Sequence, residues 1–185
     1  MYCGTNKTAL QSQKQTAEAM IALLWEKPFA QITISELCKT AGISRQTFYS
    51  LFRGREDVMV FTLQAQYCDG LGIDMPAKPI SRAETLRWLC RSYSTYILRN
   101  RSLIRLLVEN HIDYLLYDSF YDAIDRCGCF LRDVDRSVRS YAASFYAGGI
   151  TCVARRYAEE GCSSSERQLE ELLVRLLSGR IFNEV

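Results

Sequence analysis

Two helix-start signals separated by one glycine constrain this chain more than any other feature. Thr33 caps a helix with Glu36 three residues on, a capping box, and Ile32 and Leu37 flank it as a hydrophobic staple. Ser44 starts a second helix with Ile43 and Phe48 as its staple, but Thr47 replaces the carboxylate at the third helical position. Gly42 lies between them, where a helix end requires a residue that tolerates a left-handed backbone. Residues 32–58 therefore read as two short helices around a tight turn and the start of a third, the outline of a helix-turn-helix.

Apolar Ile34, Leu37, Cys38, Ala41, Ile43, Phe48, Leu51 and Phe52 are placed to pack between the two helices. Arg45, Gln46, Thr47 and Tyr49 are left to face outward at the start of the second. Arg pairs with guanine O6 and N7, Gln with adenine, a Thr methyl touches a thymine methyl, and a Tyr hydroxyl reaches phosphate. The missing carboxylate at Thr47 keeps negative charge away from a phosphate backbone.

These residues resemble the TetR family of bacterial transcription regulators. The family pattern appears here as Thr33, Leu37-Cys38, Ala41-Gly42-Ile43-Ser44, Tyr49, Phe52 and Arg55-Glu56, about a seventh of the chain. Cys38 stands where the family often has Ala, and Arg55 where it usually has a phosphate-contacting Lys, which keeps the charge but changes its hydrogen-bond geometry. The resemblance implies that Thr33, Ser44, Arg45, Gln46, Thr47, Tyr49 and Arg55 meet double-stranded DNA at a pseudo-palindromic operator. It also implies a homodimer that acts as a repressor and leaves its operator when a small organic ligand binds the body.

Charge agrees with a DNA-facing head. The net charge is only +2, yet residues 1–55 carry seven lysines and arginines against three acids, while beyond residue 65 the signs balance. With 48% hydrophobic residues, three prolines and ten glycines, the chain reads as all-α. A first helix over residues 8–26, with Leu10, Ala17, Met20, Ile21, Leu24 and Trp25 at mostly helical spacing, braces the reading pair and ends before Pro28. A fourth helix begins at Gly54. The expected division is a helix-turn-helix head over 1–68, a Gly- and Pro-rich connection over 69–80, and a helical ligand-binding and dimerisation body over 81–185.

In the body, Ser81 and Glu84 form another capping box, followed by Leu86, Leu89, Tyr93 and Ile97 on one face. Helices are expected near 101–116 and 118–132, then over 137–160, where Val138, Tyr141, Ala142, Phe145, Cys152 and Val153 share a side. Gly148 and Gly149 inside that last segment each cost about 1 kcal/mol against Ala, which suggests a close helix approach or a bend. The final helix carries Leu169, Leu172, Leu173, Leu176 and Leu177 as one stripe. For each leucine alone the first expectation is an internal core; as a pair, the last two helices resemble those with which TetR-type proteins dimerise.

Trp88, Tyr93, Tyr96, His111, Tyr114 and Tyr117 are the candidate lining of a ligand cavity, set against the plainer expectation that aromatics at helical spacing are core. Eight cysteines without an even framework of short spacings, a signal peptide or an apolar run of transmembrane length point to a cytoplasmic protein with free thiols. Cys127 and Cys129 form the only close pair and His111 is the only histidine, so no metal or cofactor is expected. No phosphate-binding Gly loop, nucleophile elbow or H-E-x-x-H pair is present, and an enzyme is not expected. Two alternatives stay open: a thiol-based redox-responsive regulator, and a helical protein-interaction module that does not bind DNA.

Overall fold

The computed structural model describes residues 5–70, 81–127 and 130–179. Those residues form helices and connecting turns with no strand, an all-α fold as the periodicity implies.

The first helix, α1 (Lys7–Glu26), is capped by Asn6, whose side chain accepts from the backbone N–H of Thr8 at 2.9 Å. Its buried side is set by Ala17, Met20, Leu23 and Leu24. Leu10 and Trp25, expected on that side, face outward; Trp25 lies one residue, about 100° of rotation, past Leu24 and is 61% exposed. A single 3₁₀ turn, Phe29–Gln31, leads into α2 (Ile34–Ala41) and α3 (Arg45–Leu51). Ile32, Leu37, Phe48, Phe52, Val58 and Met59 fill the space between α1, α2, α3 and α4 (Arg55–Gly70).

Helix α4 belongs to both halves. It packs on α1 on one side and on α7 (Tyr114–Arg126) on the other, so the boundary expected at residue 68 falls inside a continuous helix. Residues 71–80 of the expected connection lie outside the described residues. A second tie joins head to body at the 3₁₀ turn, where the backbone N–H of Phe29 donates to Asn110 Oδ1 at 2.7 Å.

The body continues through α5 (Arg82–Arg99), α6 (Arg101–Glu109), α8 (Arg136–Glu159) and α9 (Glu166–Leu177). Helix α5 is the central one, with residues Ser92–Ile97 buried on every side. The helix expected over 101–116 stops at Glu109. Asn110 donates to the Leu106 carbonyl, His111 takes a left-handed φ of 56°, and Ile112 N–H bonds back to the Leu107 carbonyl. His is among the residue types enriched in that region apart from glycine, so His111 carries the stop, with the Asn110 side chain closing the last turn. The expected 118–132 helix correspondingly runs Tyr114–Arg126.

The two glycines of α8 differ. A Cβ on Gly149 would meet Leu177 Cδ2 of α9 at 3.1 Å, whereas one on Gly148 would meet nothing within 4 Å. Only Gly149 serves a close helix approach within the protomer. On α9, Leu169, Leu173 and Leu177 are buried against the protomer's own body while Leu172 is 45% exposed, so most of the leucine stripe is internal core.

Candidate nucleic-acid interface

The reading pair is held by local bonds. Thr33 Oγ1 accepts from Glu36 N–H at 3.2 Å, and Glu36 Oε2 accepts in return from Thr33 N–H at 3.0 Å and from the Thr33 hydroxyl at 2.8 Å. Lys27 pairs with the other carboxylate oxygen. Hydrogen bonds from Lys27 first, and then from Thr33, hold the Glu36 carboxyl down at about 2. Gly42 ends α2 with φ 67°, and its N–H reaches back to the Lys39 carbonyl at 3.3 Å. The turn into α3 is tight because the chain reverses in one left-handed residue.

Ser44 then caps α3, its Oγ accepting from Thr47 N–H at 3.0 Å and lying 2.9 Å from Thr47 Oγ1. Phe48 and Leu51 anchor the inner side of α3, and Phe52 follows in extended conformation with 2% exposure. Rotation away from those anchors sends Arg45, Gln46 and Tyr49 into solvent. Arg45 and Gln46 make no side-chain hydrogen bond among the described residues, while Tyr49 rests edge-on against Phe48 with 5.5 Å between ring centroids. A short helix with a rigid inner face thus presents a guanidinium, an amide and a phenol at one surface. Such a set suits the donor and acceptor pattern of a major groove and its flanking phosphates.

The other expected contacts are spent differently. The hydroxyls of Thr33, Ser44 and Thr47 are engaged in caps. Arg55, expected on phosphate, is half-buried: its Nη1 donates to the carbonyls of Phe29 at 2.9 Å, Ala30 at 3.3 Å and Ile32 at 2.5 Å, and its guanidinium carbon sits 4.9 Å from the Phe29 ring centroid. A lysine lacks the plane that lies over the Phe29 ring, so the Lys-to-Arg departure gives an internal clamp.

The six aromatic and histidine candidates in the body are not gathered round one cavity. Tyr93 and Tyr96 are fully buried, packed edge-on against Phe120 at 4.9 and 5.5 Å, with hydroxyls directed to the carbonyls of Phe120 and Leu63. They are core because three residues of helix place both rings toward α7. Tyr114 is 52% exposed, Tyr117 stacks on Tyr121 at the surface of α7, and His111 is exposed in the α6–α7 turn. Trp88 is half-buried, and its indole Nε1 is buried with no hydrogen-bond partner among the described residues. A cleft of about 270 Å³ between α1 and α6 is lined by Trp25, Ser102, Arg105, Leu106 and Glu109, none of them among the six.

Comparison with known proteins agrees with the geometry. Residues 18–60 match the family model described as bacterial regulatory proteins, tetR family. A curated relative, the HTH-type dhaKLM operon transcriptional activator DhaS of Lactococcus lactis subsp. lactis (strain IL1403), is 30% identical over 63 residues. That stretch spans 34% of this chain and only 34% of the relative. Among solved structures, the fatty acid degradation regulator FadR from Bacillus halodurans is similar with a TM-score of 0.60 at 18% identity, covering 98% of this chain and 100% of that one. A TetR transcriptional regulator from Rhodococcus sp. RHA1 gives 0.61 at 16% identity, covering 97% and 100%. The dihydroxyacetone kinase operon activator DhaS gives 0.54 at 19% identity, covering 92% and 96%.

Proposed function

We propose that this chain, which matches the tetR family model over residues 18–60, is a transcription regulator of that family and works as a homodimer in the cytoplasm, reading a pseudo-palindromic operator with α3. The observation that carries the reading is the capped α3, buried on one side by Phe48 and Leu51 and presenting Arg45, Gln46 and Tyr49 on the other. Selection of duplex fragments from a random pool, followed by affinity measurements over a salt series, tests it. Arg45→Ala or Gln46→Ala lowers affinity for the selected duplex by about 1 to 3 kcal/mol and relaxes preference at one base position per half-site. Equal losses on selected and random duplexes would refute base reading by α3.

Dimerisation rests on α8. Val138, Tyr141 and Phe145 are 51, 75 and 66% exposed, and with exposed Cys152 they follow one helical stripe of α8. Exposed aromatics in such a row are an uncovered apolar face, and a second copy of the chain covers it isologously. The need comes from reading: one short helix touches few base pairs, whereas a two-fold pair reads two half-sites.

A small organic ligand releases the dimer by favouring a head spacing that fits only one half-site. The ligand acts on a body joined to the head through α4 and through the Phe29–Asn110 bond. Repression follows most directly, because occupancy of a promoter is sufficient to block it; transcription in the presence and absence of the protein decides the sign.

A further inference from the structure

We propose that Arg53 supplies the phosphate contact at the far end of the reading helix, the part that the sequence pattern assigns to Arg55. The inference rests on DNA reading by α3 and deepens it by one residue.

Arg55 is committed elsewhere. Its Nη1 donates to three carbonyls of residues 29–32, its plane covers the Phe29 ring, and its side chain is half-buried. Turning it to a phosphate would take its donor from the Ala30 and Ile32 carbonyls and uncover Phe29, which is 4% exposed. Arg53 has the opposite character. It is exposed, and its guanidinium makes no hydrogen bond or ion pair among the described residues. Its backbone is nonetheless fixed, because Phe52 before it is buried in the head core and its own N–H donates to Asp57 Oδ2 at 3.0 Å. The Asp57 carboxylate thus accepts from the Arg53 amide, while the charged end of the side chain makes no ion pair among the described residues.

Position completes the case. Helix α3 is seven residues long, Arg45–Leu51, so its ends are about 10 Å apart along the axis. A major groove is about 12 Å wide. With Arg45 and Gln46 at the bases, a cation just beyond the carboxyl end of α3 reaches the sugar-phosphate strand that borders the groove. A fixed backbone with an exposed guanidinium that has no partner among the described residues is suited to bidentate phosphate binding, which sets register without reading sequence.

The experiment measures affinity for a mixed-sequence duplex and for a duplex selected by the wild-type protein, over a salt series, alongside thermal melting. Each phosphate contact contributes about 0.9 to the slope of log K against log salt. Arg53→Ala is expected to weaken binding to both duplexes alike and to reduce the slope by about 0.9 for each protomer bound, with the melt unchanged; Arg53→Lys restores most of the slope. Arg55→Lys is expected to lower the melting temperature and leave the slope intact. An unchanged slope in Arg53→Ala, or a reduced slope with an unchanged melt in Arg55→Ala, overturns the assignment while DNA reading stands. Absence of salt-dependent duplex binding by the wild-type protein overturns both.

Discussion

Gly148→Ala separates an open surface from a subunit contact with one methyl group. In the protomer a Cβ at residue 148 meets nothing within 4 Å, so the substitution carries only the helix-propensity gain. That gain is about 1 kcal/mol in an α-helix interior. Residue 148 continues the row of Val138, Tyr141 and Phe145 toward Cys152, and in a two-fold dimer the added methyl enters the contact from both sides. Overpacking a fitted contact costs about 1 to 3 kcal/mol, which is about a 5- to 150-fold weakening of the dimer. Gly149→Ala is the control. Its Cβ meets Leu177 Cδ2 at 3.1 Å, the end of a flexible side chain that must shift by a few tenths of an ångström, so propensity gain and crowding nearly offset and dimerisation is unaffected. Sedimentation equilibrium gives the dimer constant, and urea melts at concentrations on either side of it separate protomer stability from association. A Gly148→Ala protein that is more stable and dimerises as tightly as wild type would show that this side of α8 stays open, and a wild-type monomer at micromolar concentration would end the dimer proposal altogether. Leu173→Glu is not a usable probe, because Leu173 is fully buried within the protomer.

Asn110→Ala removes the acceptor of the Phe29 N–H and should cost about 1 to 3 kcal/mol in a urea melt, with Asn110→Asp retaining more because it keeps the acceptor; equal losses in the two variants would rule out a role for that bond. The depressed Glu36 carboxyl gives a signed pH effect. Ionised Glu36 is favoured by the folded head, so its contribution is complete above the ordinary 4.5 and is lost as pH falls toward about 2; Glu36→Gln flattens the decline across that window, and an unchanged decline would refute the capping-box origin. Thiol labelling with a maleimide at neutral pH, read by peptide mapping, should modify Cys152 in the native protomer and spare Cys90, whose thiol burial and then Glu170 push up to about 12. Raising the protein concentration into the dimer range should slow labelling of Cys152, and rapid labelling of Cys90 would contradict the packing of α5.

Much of this protein was legible in the chain itself. Thr33, Glu36, Gly42 and Ser44 act on backbone groups within four residues, so their meaning does not depend on what the rest of the chain does. The same is true of Ser81 with Glu84, and of the leucine period in α9. These local rules determined the helix-turn-helix, the all-α class, and the outward start of α3. Tertiary structure decided matters that depend on groups far away in sequence. Arg55 turned inward because carbonyls 23 to 26 residues earlier lay within reach of its Nη1. Tyr93 and Tyr96 became core because Phe120 came to lie against them. The leucine stripe of α9 faced its own body while Tyr141 and Phe145 of α8 were left uncovered. Helical periodicity says that a face is apolar, but burial is a property of whichever element arrives to cover it, and that choice is made only when the whole chain packs.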